Sequence, residues 1–114
     1  MMQNDDWGRD PGVRHLRQVF AAVEQTSEGL LAAWEVDRFD LRLRRWRQRA
    51  LELFQRAWAL AGSRGRAVGP QEAAWLYGRS LAAVLAAEGR AVEAAPAELL
   101  GPDWTAEVVR EAGS

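Results

Sequence analysis

The sequence of 114 residues contains no cysteine and no lysine, and His15 is its single histidine. The lack of cysteine excludes disulfide bonds and thiolate metal sites. One histidine cannot form the histidine pair of most zinc sites, and the carboxylates show no spacing typical of a di-metal helical bundle. We therefore expect no catalytic residues, no metal ligands and no cofactor, and an enzymatic activity is not indicated.

Long apolar segments are also missing. No run approaches the roughly 18 to 20 apolar residues that a membrane-spanning helix needs. Residues 1–9 are polar and acidic, without the basic start and apolar segment of a signal peptide. All 15 basic residues are arginine, which has GC-rich codons where lysine has AT-rich ones. We expect a cytoplasmic protein without membrane contact, encoded in a bacterial genome of high GC content.

The residues that are present predict an all-α protein. Hydrophobic residues make up 48% and charged residues 27%, which is ordinary for a globular domain. Apolar residues recur at spacings of three and four, and no run alternates with the period of two that a half-buried strand requires. We expect a short flexible lead-in over residues 1–9 and one helical domain over 10–114. That domain is a small bundle of three main helices followed by short C-terminal helical segments.

The first helix is predicted to begin at Asp10-Pro11, with aspartate as the N-cap and proline in the first turn. The polar stretch 26–29 (Thr-Ser-Glu-Gly) interrupts the pattern, and we favour a break there over one continuous helix. The apolar positions before that stretch have helical spacing: Val13, Leu16, Val19, Phe20 and Val23.

The strongest periodic signal lies between Val36 and Leu60. Eight apolar residues alternate at spacings of three and four with no glycine or proline among them, which predicts one amphipathic helix. A second apolar strip beside the first widens this face, so we expect the helix to pack against two neighbours. The first stripe is Val36, Phe39, Leu43, Trp46, Ala50, Leu53, Ala57 and Leu60, and the second is Leu51, Phe54, Trp58 and Ala61.

A glycine-rich loop over 62–69 is predicted to end this helix, and Pro70 to begin the next. Gly78 marks a close approach of another helix, and Gly89 a C-terminal stop. Beyond it, residues 96–100 and 103–111 each allow a short helix. The inward-facing residues of the third main helix are predicted to be Ala74, Tyr77, Leu81, Val84 and Leu85.

Charge is distributed in three blocks. Residues 38–66 carry nine arginines and two acids, whereas residues 1–37 and 67–114 each carry three arginines and seven acids. The basic middle helix would repel its own copy, so we expect it to be neutralised by acidic side chains elsewhere in the chain. The candidates are Glu24, Glu28, Glu72 and Glu88.

The favoured function is a non-catalytic helical module for protein interaction or assembly, with a protein partner or a second copy of the chain. Two tryptophans outside the main helices, Trp7 and Trp104, are the predicted partner-binding residues because tryptophan is enriched at interface hot spots. A ligand site inside the bundle is a third alternative without a motif to support it.

The second alternative is an accessory protein that binds nucleic acid through the arginine-rich helix 38–56 and the loop that follows it. Its predicted phosphate-binding residues are Arg42, Arg45, Arg49, Arg64 and Arg66. A sequence pI of about 5.8 argues against this alternative, because nucleic-acid-binding domains are usually basic.

Overall fold

The computed structural model describes residues 11–90, 92 and 97–114, and these residues form helices and connections without a strand. This confirms the predicted all-α fold of three main helices followed by short C-terminal ones. The predicted start at Asp10 and the lead-in of residues 1–9 lie outside the described residues. The helices are α1 (Pro11–Ala33), α2 (Leu43–Ser63), α3 (Pro70–Ala87), α4 (Ala97–Leu100) and α5 (Asp103–Ala112).

Helix α3 is the centre of the bundle, since it packs against each of the other four helices. Helices α1 and α2 lie on either side of it and have little direct packing with each other. The carboxyl ends of α1 and α3 meet, where Arg90 donates to the carbonyl oxygen of Trp34 at 3.4 Å. The residues of α3 that were predicted to face inward do so: Ala74, Tyr77, Leu81 and Leu85 are buried, and Val84 is half-buried.

The predicted break in the first helix is wrong, because α1 runs continuously through residues 26–29. Thr26 and Ser27 are buried against α3 instead of forming a turn. The Thr26 side chain meets Gly78, where a Cβ atom would lie 3.3 Å from Thr26 Cγ2 and 2.9 Å from the carbonyl oxygen of Leu99. The predicted close approach at Gly78 is therefore confirmed, and the polar stretch is the surface that permits it.

The second main helix begins at Leu43, seven residues later than Val36, where the sequence pattern places its start. Glu35 has a φ of 54° and ends α1 in the left-handed conformation, with the Val36 amide bonded back to the Leu31 carbonyl. Val36 is buried but outside any helix.

Two aspartates hold the connection between α1 and α2 in a turn. Asp37 accepts a hydrogen bond from the backbone amide of Phe39, and Asp40 accepts one from that of Arg42, each at 2.9 Å. Such side-chain bonds compete with helical ones. The prediction that Phe39 is a core residue is therefore wrong, since the turn leaves it 89% exposed.

From Leu43 onward the predicted apolar stripe of α2 is confirmed. Leu43, Trp46, Ala50, Leu53 and Ala57 are buried, and so are Phe54 and Ala61 of the second strip. Trp58 and Leu60 are half-buried, whereas the prediction that Leu51 belongs to the packed face is wrong, since it is 42% exposed. The wide face serves two neighbours, as expected, because α2 packs against both α3 and α5.

Both predicted ends of α3 are confirmed. Pro70 begins the helix, and Glu72 Oε1 accepts a hydrogen bond from the Gly69 amide at 3.0 Å. Gly89, with a φ of 82°, follows its last turn, and the Arg90 amide bonds back to the Leu85 carbonyl at 2.9 Å. None of the helices in the described part of the chain is long and apolar enough to cross a membrane.

Candidate protein-interaction surface

The structure separates the predicted phosphate-binding arginines into two groups. Arg42, Arg45 and Arg49 lie near the start of α2, whereas Arg64 and Arg66 follow its end, about 22 Å away along the axis from Arg49 to Arg64. The two groups therefore lie at opposite ends of α2. Arg42 is bound by Asp40 at 2.9 Å, and this hydrogen-bonded guanidinium lowers the pKa of Asp40 to about 2.

Glu88, just after α3, is the main acidic partner of the first group. Its Oε1 accepts hydrogen bonds from Arg45 at 2.7 Å and from Trp46 Nε1 at 3.0 Å, and Arg49 lies 3.6 Å away. The hydrogen bond from Arg45 is the largest cause of the lowered pKa of Glu88, and the hydrogen bond from Trp46 is the next largest. On α1, Glu28 pairs with Arg38 and Arg47. The expected neutralisation of the basic helix is therefore confirmed at Glu28 and Glu88.

Lowering the pH should weaken the fold through Glu88, and Glu88→Gln should reduce that effect. Because the folded pKa is lowered below the ordinary 4.5, the stabilisation is present above pH 4.5 and is lost as the pH falls through the folded value. We expect the urea midpoint to drop less between pH 7 and pH 3.5 in Glu88→Gln than in the original chain. Glu52→Gln is the matched control on α2. An equal drop in all three proteins would contradict the assignment.

The second arginine group is attached to α5. Arg64 forms an ion pair with Glu111, which lowers the pKa of that carboxyl group. The Arg66 guanidinium lies over the indole ring of Trp104, with its Cζ 4.3 Å from the ring centroid. Trp104, one of the two predicted partner-binding residues, is thus half-buried under an arginine. The other, Trp7, lies outside the described residues.

The least covered apolar helical surface lies at the amino-terminal half of α1. Leu16 is 49% exposed and Phe20 is 64% exposed, while Val13 and Val23 are half-buried. We call these four residues the α1 stripe. Gly78 of α3 lies level with Thr26 and Leu30 of α1, and α3 begins only eight residues before Gly78. About two turns of α1 therefore extend past the start of α3. Leu16 lies on these turns, whereas Phe20 and Val23 lie level with the first turn of α3, and the described residues cover them only in part.

A cleft of about 260 Å³ lies beside the α1 stripe, between α1 and α2. It exists because both helices pack on α3 rather than on each other. Tyr77 of α3 contributes to its lining, and burial raises the pKa of that phenol. The cleft has one cation and two carboxylates around an apolar floor, and its lining residues are Phe20, Val23, Glu24, Ser27, Glu28, Arg47 and Tyr77.

Sequence reasoning missed the α1 stripe as a surface, because its residues have the same spacing as core residues. The only available signal for the stripe was this spacing, which gives the face of a helix but not what covers it. Sequence reasoning also missed Arg79, which donates hydrogen bonds from α3 to the junction of α4 and α5. Among the described residues, no group of three or more histidine, cysteine, aspartate or glutamate side chains could hold a metal ion.

The surface thus defined belongs to a small α-helical bundle with an open groove between two of its helices. Comparison of the chain with models of known protein families, with curated proteins and with solved structures finds no match.

Proposed function

We propose that this chain is a non-catalytic helical interaction module that binds a protein through the α1 stripe and the adjacent cleft. The observation that carries the proposal is the exposure of Leu16 and Phe20 on α1, at and before the level where α3 begins. Large apolar side chains clustered on one helix face, beside a groove, are typical of a surface that receives another helix. The use of arginine in place of lysine supports, within the same proposal, a bacterial protein, and the absence of a long apolar segment supports a cytoplasmic one.

A fourth helix would complete the packing. Helices α1 and α2 flank α3 with a cleft between their outer edges, so a helix laid along the cleft would contact both of them. Burying the exposed part of Phe20 and Leu16 supplies the driving force, since full burial of such a side chain contributes about 1.5–3 kcal/mol.

The arginine surface offers weaker support for nucleic-acid binding. Arg42, Arg45 and Arg64 each have an acidic partner within the chain, so a phosphate would have to displace a carboxylate. That alternative remains a prediction, with salt-sensitive binding as its signature.

A photo-crosslinking residue placed at position 20 tests the proposed function. The matched control is the same residue at Gln18, which is exposed on the opposite side of α1. We expect irradiation of cells that make the chain to give a discrete adduct, of fixed mass, from position 20 and none from position 18. The replacement at position 20 should leave the helical content unchanged, because Phe20 is largely exposed.

Adducts that form equally from both positions, or from neither, would overturn the proposal. A variant Phe20→Ser provides a second readout: it should melt within a few degrees of the original chain, because surface substitutions usually change stability by less than about 0.5 kcal/mol. A large loss of stability would show that Phe20 serves the fold and not a partner.

A further inference from the structure

We infer that the partner of the α1 stripe is a second copy of this chain, with the two α1 helices packed antiparallel. This inference rests on the proposed function and names its partner. It is carried by the apolar pattern of α1 together with the charges along one flank of that pattern. A two-fold axis near residues 21 and 22 would relate the two copies.

The α1 stripe belongs to a longer apolar pattern along α1, whose later part is packed within the bundle. Along α1, apolar or small residues recur at spacings of three and four, and the later members Ser27, Leu30 and Trp34 are buried within the bundle. Among the described residues, the earlier members, in the α1 stripe, are half-buried or exposed. An identical helix has the same spacing, so it offers a complementary surface of the same periodicity. In the proposed register, Phe20 packs against Val23 of the second copy, and Leu16 enters the cleft beside Ser27.

The charges on one flank of the stripe select the orientation. Arg17 and Glu24 lie seven residues apart, both exposed, on the side of α1 that faces α2. In the proposed antiparallel register, Arg17 comes within about 3 Å, along the helix axis, of Glu24 in the second copy, and the reverse pair forms by symmetry. In a parallel pair the flank that carries Arg17 and Glu24 would lie at opposite edges of the interface in the two copies, so these side chains would not meet.

The alternative antiparallel register, with Phe20 opposite Leu16, brings the two Arg17 side chains together. Charge complementarity therefore favours one orientation and one register. The area available on about three turns of each helix is at the low end for stable dimers, so we expect a Kd in the micromolar range.

Sedimentation equilibrium of the purified chain, from about 1 to about 300 μM at low salt, measures the association. We expect a monomer–dimer equilibrium. Phe20→Ser should raise Kd by at least about thirtyfold, as expected for a central interface residue, and Gln18→Ser should leave it within about twofold. Circular dichroism of each variant checks that the helices are retained.

A charge exchange tests the orientation. Arg17→Glu alone and Glu24→Arg alone should each raise Kd by about tenfold, because each turns two attractive pairs into repulsive ones. The double variant Arg17→Glu/Glu24→Arg should restore Kd to within about twofold. This rescue is specific to the antiparallel register, since residues seven apart in one helix are about 10 Å apart along its axis and do not pair.

Three results would overturn the inference: a monomer at all concentrations, a dimer indifferent to Phe20→Ser, or a dimer that the double variant fails to restore. The crosslinking at position 20 separates these failures from failure of the proposed function. An adduct of twice the chain mass supports self-association. If the adduct has another mass and the purified chain stays monomeric, the proposed function as an interaction module is supported. The partner is then a different protein and not a second copy of the chain.

Discussion

Replacing Trp46 by alanine is expected to lower the free energy of unfolding by about 3–5 kcal/mol, which is the usual cost of deleting a large core side chain. Trp46 is fully buried. Its indole nitrogen donates to Glu88 at 3.0 Å, and the Arg42 guanidinium lies 4.8 Å from the ring centroid. The truncation removes the apolar contacts of α2 with its neighbours and also one of the hydrogen bonds that fix Glu88. Urea unfolding followed by circular dichroism gives the difference.

Phe39→Ala is the matched control for this prediction. Both aromatic residues belong to the same predicted apolar stripe, yet Phe39 is 89% exposed in the turn before α2. We expect its replacement to change the free energy of unfolding by less than about 0.5 kcal/mol. Similar losses for Trp46→Ala and Phe39→Ala would contradict the start of α2 at Leu43 and restore the longer helix.

Replacing Arg79 by methionine should destabilise the chain by about 2–3 kcal/mol, because it leaves the carbonyl group of half-buried Gly101 without its charged donor. Arg79 is half-buried on α3 and reaches the segment between α4 and α5. Its Nε donates to the Leu100 carbonyl at 2.9 Å, and a terminal nitrogen donates to the Gly101 carbonyl at 2.9 Å. Thr105 is buried beside it and also donates to Leu100, so the Gly101 carbonyl is the group left unpaired.

Two variants separate this effect from a general loss of charge. Arg44→Met removes an exposed arginine of α2 and should be neutral within about 0.5 kcal/mol. Arg79→Lys keeps the charge but cannot donate in two directions from a planar group, so we expect an intermediate loss. Equal stability of Arg79→Met and Arg44→Met, measured by urea unfolding, would show that Arg79 does not hold the α4–α5 junction.

The parts of the fold that the sequence predicted are those controlled by periodic burial. The stripe of α2 from Leu43 to Ala57 and the inward face of α3 are buried as their spacing indicates. The starts and ends near proline and glycine, at Pro70 and Gly89, are also as expected. The helix ends are set by local interactions. The apolar faces are buried whichever helix packs against them.

The wrong predictions involve polar residues whose behaviour depends on distant contacts or on competing local bonds. Thr26 and Ser27 resemble a turn, but they are buried where α1 approaches Gly78. Asp37 and Asp40 lie within an apolar pattern that favours a helix, and their side-chain bonds to the backbone hold a turn instead. The periodicity of apolar residues shows neither the contact with a distant helix nor the side-chain hydrogen bonds to the backbone.

The candidate surface was only partly foreseeable for a related reason. The charge blocks predicted that acids of the chain would neutralise the basic helix, and Glu28 and Glu88 do so. The spacing of Leu16 and Phe20 on α1 was equally visible, but whether α3 would extend far enough to cover them depends on the relative placement of two helices. That placement is set at Gly78, many residues away in the chain.

The central position of α3 has a consequence for how the chain folds as it is synthesised. Helices α1 and α2 emerge first, but their main neighbour is α3, and they have little packing with each other. Because helices gain most of their stability from such packing, the first two should stay only marginally formed until α3 has been made. Residues up to about 87 must therefore leave the ribosome before any part of the bundle becomes resistant to proteolysis. In the meantime the apolar faces of α1 and α2 are open to chaperones.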